Sequence, residues 1–242
     1  MNKPVTIGLV VPFAADEVPA EGPIMYPGVR FIPRGVGVRA LTPEGYDPAW
    51  NGILPAADEL AKLGVDAIMV IGTSLTFYRG PQAHQRLLEN LRERTGLPAS
   101  TMSQAILDGL DEVGAKRVAV ATAYTDVVNR RLKELLAAAG IDVLALQCFD
   151  LLEFGGPSKK SEADIIALSD SAVAKASGAE AILISCGGLR TLGVAQPLEA
   201  RHGIPVVSSA TAAFWAAMRL VGESGHVAGY GQLFEQSREP VY

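Results

Sequence analysis

Short apolar runs alternate with longer amphipathic segments along this chain of 242 residues. Runs such as Thr6–Val11 and Arg117–Thr122 are rich in β-branched residues and have the length of buried strands. Pro81–Thr95 instead repeats its apolar positions with the period of a helix, and Gly96 follows it as a stop signal. Strands that alternate with helices are typical of βαβ units, in which the strands are parallel. The pattern therefore predicts an α/β protein.

The predicted elements are spread along the whole chain. The predicted strands cover residues 6–11, 66–71, 117–122, 141–148, 180–185 and 205–208. The predicted helices cover residues 48–63, 81–95, 103–113, 126–139, 162–176 and 211–221. Residues 41–47 are predicted to form a loop over a cleft, and the segment 22–37 before them is rich in Gly and Pro and is assigned no element. In that loop, Glu44 and Tyr46 could shape a pocket or only form a turn.

Three pairs of segments resemble each other in the two halves of the chain. Residues 6–12 resemble 117–123, residues 66–75 resemble 180–189, and residues 96–105 resemble 203–212. The three segments occur in the same order in both halves, and the two members of each pair are separated by about 110 residues. Self-similarity of this kind indicates an internal duplication.

Such a duplication predicts two pseudo-symmetric Rossmann-like (flavodoxin-like) halves, each with a parallel sheet. Because open α/β sheets bind ligands at the carboxyl ends of their strands, we expect an active site in the cleft between the halves. The chain would cross between them near Pro98 and Pro205. The first domain would then comprise residues 1–98 with 208–242, and the second would comprise residues 99–207.

Composition and charge narrow the classes of function. Hydrophobic residues make up 49% of the chain and charged residues 19%, which favours a well-filled core. The net charge is −5 and no Lys/Arg-rich run is present, so nucleic acid is not an expected partner. No apolar stretch reaches the ~18 residues of a membrane span, and the amino terminus lacks a signal-peptide pattern. We therefore expect a cytoplasmic protein that does not bind a membrane.

Neither a metal ion nor a nucleotide cofactor is expected from the motifs. The histidines His84, His202 and His226 are scattered and do not follow a metal-ligand spacing. Gly35 and Gly37 do not form a dinucleotide-binding fingerprint, and the chain has no P-loop motif. Two cysteines in a chain of this length do not form a disulfide framework, so both are expected to be reduced.

Cys186 is the candidate with the most specific chemistry. It follows the apolar run Ala181–Ser185 and precedes Gly187 and Gly188, whose backbone can turn N–H groups towards a ligand. A free thiol has a pKa of ~8.5, so at neutral pH it can act as a general acid as well as a nucleophile. The alternative is a buried structural cysteine, which is the interpretation that we favour for Cys148, inside an apolar run.

Hydroxyl groups follow the matching strand in the first half of the chain. Thr73 and Ser74 come directly after Gly72, and their hydroxyl and N–H groups could form a cradle for a carboxylate. The same two residues could instead only cap the start of a helix. Tyr124, just after another predicted strand, could add a phenolic donor or only pack at the rim of the cleft.

Several motifs together resemble one known family. The stretches Gly72-Thr-Ser-Leu-Thr-Phe-Tyr-Arg-Gly80, Ser185-Cys-Gly-Gly-Leu189 and Val206-Val-Ser-Ser-Ala210 resemble the arylmalonate decarboxylase family, part of the aspartate/glutamate racemase superfamily. Thr42-Pro-Glu-Gly-Tyr-Asp47 and Ala121-Thr-Ala-Tyr124 also match the family pattern. The resemblance runs from the first strand through Gly229-Tyr-Gly231 and implies the racemase-like fold. Residues 147–161 depart most from the pattern, which leaves their share in the pocket open.

The resemblance implies decarboxylation, without cofactor or metal, of a malonate that carries an aryl or alkenyl group. Cys186 would protonate one face of the enediolate intermediate, so that one enantiomer is formed. The retained carboxylate would lie in a dioxyanion hole made by Thr73, Ser74 and Tyr124 with N–H groups around Ser74 and Gly187. Apolar candidates around the departing carboxylate are Pro12, Val38, Leu41 and Tyr46, and the substrate pocket would also include Gly72, Leu75 and Gly188. The expected partner is a small dicarboxylate, and the expected state is a monomer.

Two alternatives belong to other classes of activity. Amino-acid racemases and maleate isomerases of the same superfamily use a thiol in each half, whereas Gly72 and Thr73 occupy the position facing Cys186. A protein that only binds a small dicarboxylate would keep the carboxylate cradle and would not need the thiol. The single candidate proton donor favours the decarboxylase interpretation over the two-thiol enzymes, whereas the binding protein stays open as an alternative.

Overall fold

The computed structural model describes residues 4–235, which form two similar α/β halves. The first half contains β1 (Thr6–Val11), α1 (Glu21–Met25), β2 (Arg30–Gly35), α2 (Pro43–Lys62), β3 (Ala67–Val70), α3 (Thr73–Phe77), α4 (Pro81–Thr95) and β4 (Ala99–Thr101). The elements that follow are α5 (Met102–Glu112), β5 (Arg117–Thr122), α6 (Asp126–Ala138), β6 (Asp142–Cys148), α7 (Glu162–Val173), β7 (Ala181–Ser185), α8 (Ala195–His202), β8 (Val206–Ser208), α9 (Ser209–Leu220) and α10 (Gln232–Glu235). A short 3₁₀ turn, Pro157–Lys159, precedes α7.

The two sheets have the same topology. Their strand orders are β2-β1-β3-β4 and β6-β5-β7-β8, and every pairing within them is parallel. The three repeated sequence pairs correspond to β1 with β5, β3 with β7, and β4 with β8. The predicted fold of two pseudo-symmetric flavodoxin-like halves is therefore confirmed. In each half, the strand that precedes the candidate chemistry, β3 or β7, lies inside its sheet and is fully buried.

Residues 22–37, to which the sequence analysis assigns no element, contain most of α1 and the whole of β2. β2 pairs with β1 at the edge of the first sheet, and its residues are only partly buried. It also contains Pro33, which lacks a backbone N–H and is tolerated in a strand mainly at a sheet edge. A strand of this composition lacks the apolar run that marks the inner strands.

The prediction of a loop over residues 41–47 is wrong, because α2 begins at Pro43. The hydroxyl of Thr42 accepts a hydrogen bond from the N–H of Gly45, and Pro43 occupies the first helical position, where its missing N–H has no cost. Tyr46 therefore lies on the first turns of a helix. Its side chain is 1% exposed, so it is held in place by packing.

Several short elements have no predicted counterpart. They are α3, β4, α8 and α10, which are three to eight residues long and contain too few repeats of either period to be recognised. The start of α2 differs from the prediction by five residues, and the ends of the other predicted elements differ by up to three. Cys148 lies at the end of the edge strand β6 and is half-buried, so the expectation of a core position is not met.

Helices α5 and α9 join the two halves. They pack against each other, and each also contacts β4 and β8, the last strands of the two sheets. The predicted division into residues 1–98 with 208–242 and residues 99–207 stays a prediction, and its last residues, 236–242, lie outside the described part of the chain. Among residues 4–235, no helix is both long and apolar enough to span a bilayer.

Candidate active site

A cavity of about 110 Å³ lies at the carboxyl ends of the inner strands of both halves. Its polar side chains are those of Thr73 and Ser74 after β3 and Cys186 after β7, together with Tyr46 on α2 and Ser158 after β6. Its lining residues are Pro12, Phe13, Pro19, Val38, Leu41, Tyr46, Ile71, Gly72, Thr73, Ser74, Phe154, Gly155, Pro157, Ser158, Cys186, Gly187 and Gly188. None of these described residues carries a charged side chain, so any anion bound here would be met by dipoles and not by cations.

Gly72 starts the polar wall of the cavity. Its φ of 117° and ψ of 92° lie in a region that residues with a Cβ rarely adopt, which explains glycine at this position. Gly72 is also the N-cap of α3 and has no side chain with which to cap it. The first N–H groups of a helix have no acceptor within the helix, so those near Thr73 and Ser74 are available to a ligand.

The hydroxyl of Thr73 is the clearest sign of a missing hydrogen-bond partner. Thr73 is 1% exposed, and its Oγ1 makes no hydrogen bond of ordinary geometry to a described residue, although the Tyr124 hydroxyl lies near enough to interact with it. The hydroxyl of Thr76, one turn later, donates towards the carbonyls of Gly72 and Thr73 at 3.2 and 3.1 Å and lies 2.6 Å from Ser103 Oγ. Because a buried hydroxyl without a partner is costly, Thr73 Oγ1 favours a ligand with an acceptor atom at this wall.

Ser74 is held from the other side by Tyr46. The Tyr46 hydroxyl donates to Ser74 Oγ at 2.8 Å, and both side chains are buried. Burial raises the pKa of Tyr46 well above its usual value, so Tyr46 stays protonated and remains a donor. The proton of Ser74 is then free to be donated to a second acceptor, as a carboxylate cradle requires.

Cys186 lies at the end of β7 with its side chain 6% exposed. Burial raises the pKa of the thiol to about 11, although hydrogen bonds from the N–H groups of Gly188 and Leu189 and from the Tyr124 hydroxyl favour the thiolate. The thiol is therefore protonated at neutral pH. This environment suits a proton donor, and it is the opposite of the electropositive surroundings in which reactive thiolates are found.

Tyr124 lies behind the thiol and has no exposed surface. Its hydroxyl is 3.4 Å from Ser185 Oγ, and its carbonyl accepts a hydrogen bond of 3.1 Å from the Asn129 side chain. Burial, with a further contribution from the nearby Cys186, raises the pKa of Tyr124 well above its usual value. Tyr124 is thus a neutral donor that can stabilise negative charge forming on the sulfur.

The two glycines after Cys186 face different neighbours, and neither neighbour leaves room for a side chain without a change. A Cβ on Gly187 would lie 2.7 Å from Met102 Sδ, so this backbone packs directly on the sulfur of a buried methionine. A Cβ on Gly188 would lie 3.2 Å from Pro157 Cβ and 3.8 Å from Cys186 Sγ. A side chain at Gly188 would therefore occupy the space next to the thiol, which glycine leaves open.

The loops after β1 and β6 close the cavity with two aromatic residues that were not candidates. Phe13, after β1, and Phe154, after β6, meet edge to face with ring centroids 6.2 Å apart. The N–H of Leu41 donates to the carbonyl of Leu152 at 2.9 Å, which ties the loop before α2 to the loop after β6. The loops after β1 and after β6 both leave the carboxyl ends of parallel strands, and this position is the sequence signal that could have identified Phe13 and Phe154.

The structure brings most of the candidate residues to one cavity. Those that line it are Pro12, Val38, Leu41, Tyr46, Gly72, Thr73, Ser74, Cys186, Gly187 and Gly188. Tyr124 and Leu75 are buried behind the lining, Tyr124 next to Cys186 and Leu75 beneath Gly72. Further lining residues that were not candidates are Phe13, Pro19, Ile71, Phe154, Gly155, Pro157 and Ser158. Within residues 4–235, no three His, Cys, Asp or Glu side chains are grouped as metal ligands would be.

The raised pKa of Cys186 predicts how its alkylation depends on pH. Only the thiolate reacts, so the rate constant for iodoacetamide should rise about tenfold per pH unit from pH 7.5 to 10 without levelling off. Peptide mass spectrometry would follow Cys186 and Cys148 separately, with glutathione, which levels off near its own pKa, as the reference thiol. A rate at Cys186 that levels off below pH 9 would contradict the assignment of a protonated thiol.

The unpaired hydroxyl of Thr73 predicts a stability difference between two threonines of α3. Thr73→Val removes a buried group without a partner and should raise the free energy of unfolding by ~1 kcal/mol. Thr76→Val removes a hydroxyl with three partners, and this isosteric change should lower the free energy of unfolding by ~1–3 kcal/mol. Urea unfolding without added carboxylates would measure both values, and equal losses would show that the Thr73 hydroxyl is satisfied in the free protein.

Comparison with known proteins agrees with the fold. The family model described as arylmalonate decarboxylase matches residues 7–234. The arylmalonate decarboxylase of Bordetella bronchiseptica is 42% identical over 233 residues, 96% of this chain and 97% of the relative. A crystal structure of a liganded double mutant of arylmalonate decarboxylase is 41% identical, covers 96% of this chain and 99% of that chain, and has a TM-score of 0.93.

More distant neighbours share the fold. A maleate isomerase variant from Pseudomonas putida S16, in complex with maleate, is 22% identical, covers 96% of this chain and 98% of that chain, and has a TM-score of 0.89. This similarity is informative about architecture alone. The match of the family model over nearly the whole described chain, with the 42% identical relative, is decisive. The chain belongs to the arylmalonate decarboxylase family, a family of carboxy-lyases.

Proposed function

We propose that this protein decarboxylates disubstituted malonates with an aryl or alkenyl group, without a cofactor, and releases one enantiomer of the monocarboxylic acid. The observation that carries the proposal is Cys186, a single buried thiol that is protonated at neutral pH and lines the cavity. Membership of the arylmalonate decarboxylase family supports malonate decarboxylation as the reaction class.

The retained carboxylate would bind at the wall formed by Thr73 and Ser74. Both hydroxyls can donate: no hydrogen bond of ordinary geometry engages that of Thr73, and Tyr46 donates to the oxygen of Ser74, which leaves the serine proton free. Backbone N–H groups around Ser74 and Gly187 would add further donors. Loss of CO₂ leaves an enediolate whose oxygens carry more charge than the starting carboxylate, so these hydrogen bonds strengthen as the reaction proceeds.

The departing carboxylate would lie among the apolar residues of the cavity, such as Val38, Leu41 and Phe154. A carboxylate in such surroundings loses its hydration, whereas the CO₂ that forms is uncharged and does not need it. The carboxylate is thereby raised in energy relative to its product. The aryl or alkenyl group next to the reacting carbon accepts part of the negative charge that remains.

The proton would come from Cys186. The C–C bond to the departing carboxylate breaks and its electrons form the enediolate, and the reacting carbon then takes the proton from Sγ. The thiolate left behind would be stabilised by the N–H groups of Gly188 and Leu189 and by the Tyr124 hydroxyl, and water would return its proton after product release. The absence of a side chain at Gly188, where a Cβ would lie 3.8 Å from the sulfur, would let the reacting carbon approach it.

The rival activities need features that the cavity lacks among its described residues. A racemase or isomerase of the two-thiol type needs a second thiol on the wall where Gly72, Thr73 and Ser74 lie. A simple dicarboxylate-binding protein has no use for a buried protonated thiol next to an open glycine. The expected small dicarboxylate partner, the monomeric state and the cytoplasmic location are part of the same proposal.

Removal of the proton donor tests the proposal directly. The parent should release CO₂ from phenylmalonate-type substrates, and Cys186→Ala should lower kcat by at least ~10³-fold, because protonation then depends on water. Since the acid form is active, the parent's kcat should stay flat from pH 7 to 9.5 and fall only as the pH approaches about 11.

Cys148→Ala is the matched control, since Cys148 lies outside the cavity and its loss should leave turnover unchanged. Full turnover by Cys186→Ala would exclude the thiol as the proton donor. A parent that binds arylmalonates without releasing CO₂ would favour the dicarboxylate-binding protein.

The single thiol also predicts the stereochemical outcome. Decarboxylation of 2-methyl-2-phenylmalonate in D₂O should give one enantiomer of 2-phenylpropionate with one deuterium at the reacting carbon. When this product is isolated and incubated with the enzyme in H₂O, it should neither racemise nor lose deuterium. Chiral chromatography with mass spectrometry would measure both properties, and racemisation of the isolated product would point to a second proton donor.

A further inference from the structure

We propose that Asp47, Tyr78 and Arg79 form a clamp that positions Tyr46 against Ser74, and thereby leaves the Ser74 hydroxyl free to donate to the substrate carboxylate. In this view the three clamp residues act through Tyr46 and Ser74 and do not touch the substrate. The effect of the clamp on turnover rests on the proposed function, whereas its effect on the position of Tyr46 does not.

The inner contact is the hydrogen bond from the Tyr46 hydroxyl to Ser74 Oγ. A serine hydroxyl has one proton, and its direction depends on the neighbouring groups. When Tyr46 donates to Ser74, the serine proton must be used elsewhere, and the cavity lies next to it. If Tyr46 moved away, Ser74 could turn and its proton would no longer be directed to the cavity.

The outer contact is a closed triangle of hydrogen bonds. The Tyr78 hydroxyl donates to Asp47 Oδ1 at 2.5 Å, and Arg79 Nη2 donates to the same oxygen at 2.6 Å. Arg79 Nε also donates to the Tyr78 oxygen at 2.8 Å. Asp47 lies on α2, whereas Tyr78 and Arg79 directly follow α3, so the triangle joins the two helices that carry Tyr46 and Ser74.

Aromatic packing links the triangle to the inner contact. The Tyr78 ring lies against the Tyr46 ring, with centroids 5.1 Å apart, and meets the Trp50 ring edge to face at 5.6 Å. The Arg79 guanidinium lies over Trp50 at 5.0 Å. A rigid ring thus stands between the clamp and Tyr46, so a shift of Tyr78 is passed on to the residue that holds Ser74.

The first turns of α2 have a specific need for such support. Pro48 has no N–H, so the carbonyl of Glu44 lacks the helical hydrogen bond that it would otherwise accept. The turn that carries Tyr46 and Asp47 is therefore less constrained by its own backbone. The side chains of Asp47 and Arg79 are 54% and 36% exposed. Ion pairs with this much exposure contribute little to stability, so the clamp should affect the position of Tyr46 more than the free energy of unfolding.

Kinetics of Tyr78→Phe and Asp47→Asn test the positioning role. Tyr78→Phe keeps the ring and removes the hydroxyl, and it should lower kcat about tenfold while changing KM less than threefold. Asp47→Asn keeps an acceptor for the Tyr78 hydroxyl, so its kcat should fall less than that of Tyr78→Phe. Asp58→Asn is the matched control, because it breaks another exposed ion pair of α2, with Arg94, and should leave both constants unchanged.

A double-mutant cycle separates the clamp from a general structural effect. In the Ser74→Ala background, Tyr78→Phe should cause no further loss of kcat, because the hydroxyl that the clamp directs is gone. An equal loss in both backgrounds would overturn the proposal. A crystal structure of Tyr78→Phe decides the structural part without any assay, since an unchanged 2.8 Å contact between Tyr46 and Ser74 would also overturn it. If the parent releases no CO₂ at all, the proposed function fails while the crystal structure still tests the clamp.

Discussion

Removing water from around an ionisable group favours whichever of its forms carries no charge. In this cavity that single effect keeps the Cys186 thiol protonated and keeps Tyr46 and Tyr124 as neutral donors. The same effect would act on a malonate, because a carboxylate among apolar side chains is destabilised relative to CO₂. Under the proposed function, one property of the site, its isolation from solvent, would thus prepare the acid, the donors and the leaving group together. The rings of Phe13 and Phe154 and the link between Leu41 and Leu152 maintain that isolation.

Isolation from solvent alone would leave a substrate without polar partners. In this fold, the residues that follow the strand ends would supply them. Two sheets with the same strand order place β3 and β7 at equivalent positions, and the residues that follow both strands reach one cavity. Because backbone N–H groups and hydroxyls carry no net charge, they can be buried at a lower cost than lysine or arginine. The unpaired Thr73 hydroxyl shows that some of this cost remains in the free protein, as is common where a site is prepared for a ligand.

The inner part of this architecture could be predicted from the sequence, and the outer part could not. β1 and β5 were predicted with their observed ends, because buried parallel strands are nearly continuous apolar runs. β2 was missed because an edge strand with Pro33 and partial exposure lacks that run. Cys186, Thr73 and Ser74 could be found because they directly follow inner strands. Phe154 could not, since it lies six residues beyond β6 in a loop whose path depends on contacts with the other half.

The difference between the two halves is set by the backbone as well as by the side chains. Gly72 and Cys186 occupy equivalent positions in the repeat, yet Gly72 has a φ of 117°, a conformation that is strained for any residue with a side chain. A Cβ at Gly72 would also lie 3.3 Å from Leu75 Cβ. The turn at Gly72 places Thr73 and Ser74 at the cavity, and its positive φ disfavours any side chain, a thiol included, at Gly72 itself. Under the proposed function, this one turn would form the carboxylate cradle and also leave Cys186 as the single proton donor.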